Sequence, residues 1–369
     1  MAIDETTGKR TRLVKSKFEE AKEKRKKALP KFDIQYEEEL IRQLFSEGKP
    51  TSKPVSDETI GLVETEYQGP FVHKERPGEE WDVPITEEIQ YFDPELSYEL
   101  TGYRPITMEK GLDFDVTPFR EMASIYEKNG KYTEYPEGSK PWRDLWTREI
   151  ERMKNGYEVN GYRITGDNYY FLNYYRMQTV DENSISGTGR SENFPSFLVK
   201  QYEWFHYVEL AEKTGKDACI LKARGIGLSE VVAAMSVRPY TTNAKYKVLL
   251  TCEADDKLQP LRDKCWFQLD WLNINTSGGL RHVRQKMNNN DTKRASKVSR
   301  DGTEFGWGSE IRSVVADNPN KVRGERTDRL IYEEAGSSKN LVKSWIQGAS
   351  LTQLGGTHFG TRIGLGTGK

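Results

Sequence analysis

The sequence predicts an α/β fold built on a parallel sheet, and three features predict it. The apolar run Ala218–Leu221 stops at a loop carrying Gly225 and Gly227, and that loop runs straight into an apolar-rich segment from Leu228. Strand, glycine loop and helix in that order cradle anions, because glycines let backbone N–H groups turn inward and the new helix points its positive end at the charge. About a hundred residues later a second apolar run, Leu330, Ile331 and Tyr332, is followed at once by Glu333 and Glu334. Two adjacent carboxylates at the carboxyl end of a buried strand are costly unless metal or proton chemistry uses them. Between and around these stretches strand and helix patterns alternate, which implies a parallel sheet with right-handed crossovers.

Taken in order, residues 1–35 are dense in cations (Lys9, Arg10, Arg12, Lys15, Lys17, Lys22 and 24–27) with few apolar residues. They read as an exposed, partly helical arm, either a solvated helix or a tail for DNA or an acidic protein. Residues 36–44 fit an amphipathic helix, and 46–60 carry the Gly, Pro and Ser of a linker. The stretch 64–139 is acidic, proline-spaced and aromatic; Trp81, Tyr91, Phe92, Tyr98 and Tyr103 are expected to pack a small loop-rich domain or wrap against the core. It holds no catalytic constellation. Residues 141–153 read as a helix with Pro141 near its start. The next stretch, 155–177, alternates apolar and polar residues with Asn-Gly pairs at Asn155 and Asn160, and predicts a β-hairpin. Residues 184–191 read as a flexible loop, and 194–210 as an aromatic helix.

The loop at 220–232 departs from the phosphate-binding pattern G-x-x-x-x-G-K-S/T at two places. Lys222 stands at the first glycine position and Leu228 at the lysine position, while Gly227 and Ser229 fit. The charge is still supplied, by Lys222 and Arg224 at the start of the loop. Ser229 is placed to offer its hydroxyl to Mg²⁺. The competing reading is a glycine turn before an ordinary helix. That helix is expected to end at Pro239.

Residues 247–251 form a strand candidate, and 255–273 a helix with Leu258, Leu261, Trp266, Leu269 and Leu272 broadly on one face. The stretch 276–302 gathers Arg281, Arg284, Lys286, Lys293, Arg294, Lys297 and Arg300. It reads as an exposed insertion, either in contact with phosphates or simply solvated. Residues 310–316 form a third strand. The loop 318–328 holds Arg323 and Arg326, each a candidate arginine finger for its own or a neighbouring subunit, or a partner for local acids. A helix over 340–351 and a strand over 361–365 complete the order, leading into Gly366, Thr367 and Gly368.

With 369 residues the chain has room for two domains. Charged residues make up 31% and the mean hydropathy is −0.80, so exposed segments or a large wet interface are expected. Aromatics at 11% argue against wholesale disorder. A net charge of −1 means that any nucleic-acid surface must come from local clustering. Cys219, Cys252 and Cys265 form no C-x-x-C pair and fit a reducing compartment without disulfides. No apolar run approaches the length of a membrane span and no signal-peptide pattern is present, so the chain is expected to be soluble and intracellular.

The shifted lysine in the loop, the acid pair in RLIYEEAG and the terminal LGTG together resemble the ATPase part of a tailed-bacteriophage terminase large subunit, the motor that packages DNA. The resemblance covers roughly 160–369 and implies a three-layer P-loop NTPase core, RecA/ASCE-like, behind an aromatic-rich mixed extension. It divides the chain into a basic arm and linker (1–60), an extension or lid region (61–160) and an ATPase domain (161–369), with the nuclease domain expected to be absent from this sequence. It implies ATP and Mg²⁺ held by Gln201, Lys222, Ala223, Arg224, Gly225, Ile226, Gly227, Leu228 and Ser229. Gln201 reads adenine, Ser229 and Glu333 hold the metal, and Glu334 orients the attacking water, with Lys222 and Arg224 as the catalytic cations. Thr367 couples hydrolysis to movement. At the first acid position the family normally has Asp, where this chain has the longer Glu333. The implied partners are double-stranded DNA, a portal protein, a small terminase subunit and copies of the chain in a ring on the procapsid, in the host cytoplasm and without a membrane. Two other readings stand beside it: an ATP-dependent DNA helicase or remodeller, whose second core and arginine motifs are not found, and a docking module with a degenerate loop.

Overall fold

The computed structural model describes Glu99 and residues 115–180, 190–222, 225–285, 288–322, 324, 326–355 and 357–367. The chain falls into two compact units, 1–85 and 86–369, and the first lies wholly outside the described residues. The basic arm, the linker, the five aromatics expected between 64 and 139, and the loop at 184–189 also lie outside them.

Helix α1 (Glu121–Asn129) ends on Gly130, whose φ of 70° lets its N–H reach back to the Tyr126 carbonyl. Helix α2 (Lys140–Asn155) starts where the Ser139 hydroxyl accepts from the Trp142 N–H. Strands β1 (Tyr157–Val159) and β2 (Tyr162–Ile164) form the expected hairpin. Asn160 and Gly161 both take positive φ, 53° and 80°, as a two-residue turn requires.

The hairpin stops there. The residues expected to continue it form helix α3 (Gly166–Tyr174), capped by the Thr165 side chain and buried at every position. A helix enclosed on all sides carries no amphipathic period, so its aromatic run imitates a strand. Strands β3 (Met177–Val180) and β4 (Arg190–Asn193) pair antiparallel. Helix α4 (Val199–Thr214) begins five residues later than expected, after an irregular stretch over 194–198.

The central sheet comprises β5 (Ala218–Leu221), β6 (Lys247–Cys252), β7 (Thr292–Arg294), β10 (Glu310–Val315), β11 (Arg329–Tyr332) and β14 (Thr361–Gly366). Two small hairpins, β8 (Lys297–Val298) with β9 (Glu304–Phe305) and β12 (Gln353–Leu354) with β13 (Thr357–His358), lie outside it. The strand order is β5-β14-β11-β6-β10-β7, parallel except for β7. Because successive side chains point to opposite faces, each strand feeds two cores. Val248, Leu250, Ile331, Ile363 and Leu365 share a core with Val231, Val232 and Met235 of helix α5 (Leu228–Thr242) and Leu258 and Leu261 of helix α6 (Asp255–Asn275). Leu249, Leu330 and Tyr332 pack on Leu351 and Trp345 of helix α7 (Leu341–Thr352). Helices therefore cover both faces, and the expected α/β fold with a mostly parallel sheet is the one observed. Aromatics of residues 119–175, among them Phe119, Tyr132 and Trp146, join the first of these cores.

Helix α5 runs through Pro239, which the sequence expected to end it. A proline there leaves the Met235 carbonyl without its intrahelical donor. The buried Arg329 of β11 supplies the missing bond, Nη1 to the Met235 oxygen at 2.6 Å. A tertiary contact thus offsets a local helix breaker.

The basic stretch 276–302 is largely paired within the chain. Arg281 meets Glu137 at 2.8 Å, Arg284 meets Asp270, and Arg294 meets Glu304 and Glu310 at 2.6 and 3.2 Å. Lys293 lies over the Trp266 ring, which leaves Lys297 and Arg300 exposed. Lys286 lies outside the described residues.

Candidate functional site

The sheet order assembles the candidate site. β14 lies between β5 and β11, so the carboxyl ends of the loop strand and the acid strand stand one strand apart. The Lys222 N–H donates to the Gly366 carbonyl at 2.8 Å and carries the β5–β14 ladder to the edge of the loop. Close packing at that edge needs glycine. A Cβ on Gly366 would lie 2.6 Å from the Gly336 nitrogen, and one on Gly336 would lie 2.6 Å from the Thr367 carbonyl oxygen. Thr367 is therefore in backbone contact with the turn that follows the acid pair.

Gly225 and Gly227 take φ of 83° and 70°, and Gly227 caps α5. The Gln201 side chain is buried against this loop and donates through Nε2 to the Ile226 carbonyl at 3.0 Å. Leu228, at the standard lysine position, is packed in the core. Ala223 and Arg224 lie outside the described residues.

The loop and the acid pair meet directly. Ser229 Oγ donates to Glu333 Oε1 at 2.7 Å, and Lys222 Nζ donates to Glu334 Oε1 at 3.0 Å. Lys222 also lies 3.8 Å from Glu333 Oε1. Glu333 is 4% exposed, and its Oε2 has no hydrogen-bond partner. Burial pushes its carboxyl above the usual carboxylate range, against the opposing effects of the Ser229 hydrogen bond and the Lys222 charge. Glu334 sits in the left-handed region at φ 51°, ψ 40°, a conformation that costs a non-glycine residue about 1–2 kcal/mol.

These groups fit a magnesium ion. A buried carboxylate with one oxygen unpartnered, beside a serine hydroxyl, is a hard-oxygen donor set that a divalent cation completes. Among the described residues no group of three or more His, Cys, Asp or Glu converges. One or two protein oxygens plus substrate phosphates are the usual magnesium environment. The cleft beside the loop has a volume of about 210 Å³ and is lined by 225–230 with Lys222 and Lys264. That is below the roughly 300–1,000 Å³ of pockets that enclose whole small molecules, and suits a phosphate tail.

Two residues in this neighbourhood carry no signal in the sequence. Lys264, in α6, reaches the cleft and pairs with Glu230 Oε1 at 3.1 Å. Glu230, in the first turn of α5, is held on its other oxygen by the Tyr175 hydroxyl at 2.6 Å. The arginine candidates fare differently. Arg323 lies outside the described residues. Arg326 is exposed two residues before Asp328, whose N–H bonds to Lys247 at the start of β6. That places it at the amino edge of a parallel sheet whose glycine loop lies at the carboxyl edge.

No protein-family model and no curated protein matches the chain. Among solved structures it is similar to the large terminase ATPase domain of Thermus phage P74-26, at 16% identity and a TM-score of 0.31, covering 44% of this chain and 65% of that one. A single-residue mutant of the same domain gives 13% identity and a TM-score of 0.32, over 42% of this chain and 60% of that one. The large terminase of bacteriophage HK97 gives 12% identity and a TM-score of 0.32, over 51% of this chain and 36% of that one. The chain thus spans less than two thirds of each, and likenesses this slight carry no argument about its function. Among the described residues, no helix is long and apolar enough to cross a membrane.

Proposed function

We propose that this chain hydrolyses ATP and couples the hydrolysis to movement of double-stranded DNA into a procapsid, as the ATPase of a viral packaging motor. The observation that carries the reading is the meeting of the glycine loop with the acid pair, through side chains 104 and 112 residues apart in sequence. Together they offer a cation for phosphate, hard oxygens for Mg²⁺ and a carboxylate for water, the parts that phosphoryl transfer to water requires. The resemblance of the loop and acid motifs to terminases supplies the DNA-packaging half of the proposal.

Lys222 and Arg224 neutralise phosphate oxygens, and the N–H groups of 225–229 cradle them. Lys222 is bonded to Glu334 at 3.0 Å; once a phosphate takes its ammonium, Glu334 is left to accept a proton from the attacking water. Ser229 and Glu333 hold the metal. When bound, Mg²⁺ neutralises charge on the phosphate oxygens. Gln201 spends one N–H on the Ile226 carbonyl and keeps its oxygen and second N–H for the adenine edge. Thr367 relays the γ-phosphate state to the DNA-gripping parts. Arg326, at the far edge of its own sheet, acts on a neighbouring copy in a homo-oligomeric ring, as does Arg323. The ring sits at a portal protein with a small terminase subunit in the host cytoplasm.

The test is calorimetric titration of MgATP into the full chain. Wild type is expected to bind, and Lys222→Ala to weaken binding at least tenfold, about 1.4 kcal/mol. Glu334→Gln is expected to bind and not turn over. Absence of binding by the folded wild type overturns the nucleotide reading in favour of the docking module, which the core-buried Leu228 favours. Turnover by Glu334→Gln overturns the assignment of the base.

A further inference from the structure

We propose that Lys264 is a second phosphate-gripping lysine, contributed by helix α6 rather than by the glycine loop and held ready by Glu230. The inference deepens the reading of the cleft as a polyphosphate site and rests on it. The standard lysine position is filled by Leu228, an apolar side chain that is packed in the core and offers the cleft no charge. Lys222 approaches from the strand side and is already shared between Glu333 and Glu334. Among the described lining residues the other cation is Lys264.

The surroundings of Lys264 suit a stand-by role. Its ammonium lies 3.1 Å from Glu230 Oε1. Glu230 cannot follow it, because Oε2 is bonded at 2.6 Å to the hydroxyl of Tyr175, which is fully buried. The lysine side chain is 32% exposed and the glutamate's 20%, so the pair is partly wet and its net attraction is small. A polyphosphate carries more charge than one carboxylate and offers several oxygens, so the flexible lysine stem exchanges Glu230 for the phosphate. The Lys264 charge is also felt at Glu333, which places it within electrostatic reach of the metal and phosphate end of the cleft.

The role is separable from simple stabilisation, because Lys264→Met and Glu230→Gln break the same ion pair. If the pair only braces α5 against α6, both substitutions shift MgATP affinity alike or not at all. If Lys264 grips phosphate, Lys264→Met weakens MgATP binding about tenfold. Glu230→Gln frees the lysine and tightens binding about two- to threefold, and that gain shrinks in the double variant. Calorimetric titration of the full chain reads all three, with thermal melts to confirm folding, and Lys264→Arg retains most of the affinity. Equal shifts for the two single variants overturn the proposal, as does an unchanged Lys264→Met. If wild type binds and Lys222→Ala weakens it while Lys264→Met does not, this assignment falls and the nucleotide reading stands. If wild type does not bind, both fall.

Discussion

Strand β11 carries a buried charge cluster at each end, and the two are finished differently. At the amino end Arg329 is fully buried and uses all five of its donors. Nε and Nη2 meet Glu212 at 2.5 and 3.0 Å, Nη1 and Nη2 meet Asp167 at 3.3 and 2.7 Å, and Nη1 meets the Met235 carbonyl. Asp167 also takes Arg238 at 2.6 Å. Burial works to raise the Asp167 carboxyl, but the two guanidiniums outweigh it and hold it below the usual range. Four residues along the strand, Glu333 is as buried, yet it keeps one oxygen unpartnered and its carboxyl is raised. The first cluster is closed and has nothing left to offer a ligand. The second is incomplete, with one carboxylate oxygen left without a donor where the proposed Mg²⁺ would bind. Two buried charge clusters in one core thus do opposite work, and satisfaction of their hydrogen bonds, rather than burial, tells them apart.

The largest effect should come from opening the closed end. Arg329→Met strands Glu212, leaves Asp167 to Arg238 alone and uncovers the Met235 carbonyl beside Pro239, so urea denaturation is expected to report a loss of about 3–5 kcal/mol. A loss under about 1 kcal/mol would break the contrast between the two ends.

Acid should separate the ends next. For Asp167, lowered in the fold, the stabilisation is present above pH 3.8 and is lost as pH falls below it. For Glu333, raised in the fold, the stabilisation is present below 4.5 and is lost as pH rises through the folded value. Lowering pH through the raised folded value of Glu333 should therefore weaken MgATP binding while the Arg329 cluster stays charged. Two histidines also act on the whole fold as pH falls, His206 buried and His282 half-buried. His206 and His282 are held by burial at about 4 against 6.5, neutral when folded and charged when unfolded. Each removes up to about 1.4 kcal/mol per pH unit between those values. Near-ultraviolet circular dichroism alongside the titration separates loss of binding from loss of fold; coincident transitions would show that the site has no acid sensitivity of its own.

The smallest effect should come from relieving the open end. Glu333→Gln keeps an acceptor for Ser229 and removes a buried charge, so without Mg²⁺ and nucleotide it should stabilise the chain by about 1 kcal/mol, read as a rise in Tm. A fall in Tm would mean that Glu333 is as fully compensated as Asp167.

The sequence made much of the sheet legible. β6, β10, β11 and β14 fall within a residue of their expected bounds, because short apolar runs with glycine or charge at their ends are local signals. The glycine loop, the acid pair and the first hairpin were legible for the same reason. The aromatic run of α3 was not, since burial on every side erases the period that distinguishes helix from strand.

By itself, then, the sequence determined which residues can do chemistry: a displaced lysine, a serine at a helix start and two glutamates after a strand. Tertiary structure alone decided which of them meet. The insertion of β14 between β5 and β11 brings Lys222 to Glu334 and Ser229 to Glu333, and the packing of α6 on α5 brings Lys264 to Glu230. It also decided that α5 survives Pro239, through an arginine ninety residues further along the chain. The physical reason is common to all of these. Periodicity and turn chemistry act within a few residues, whereas a pair closed across a long stretch of chain forms only when many other contacts have already met the entropy of closing it.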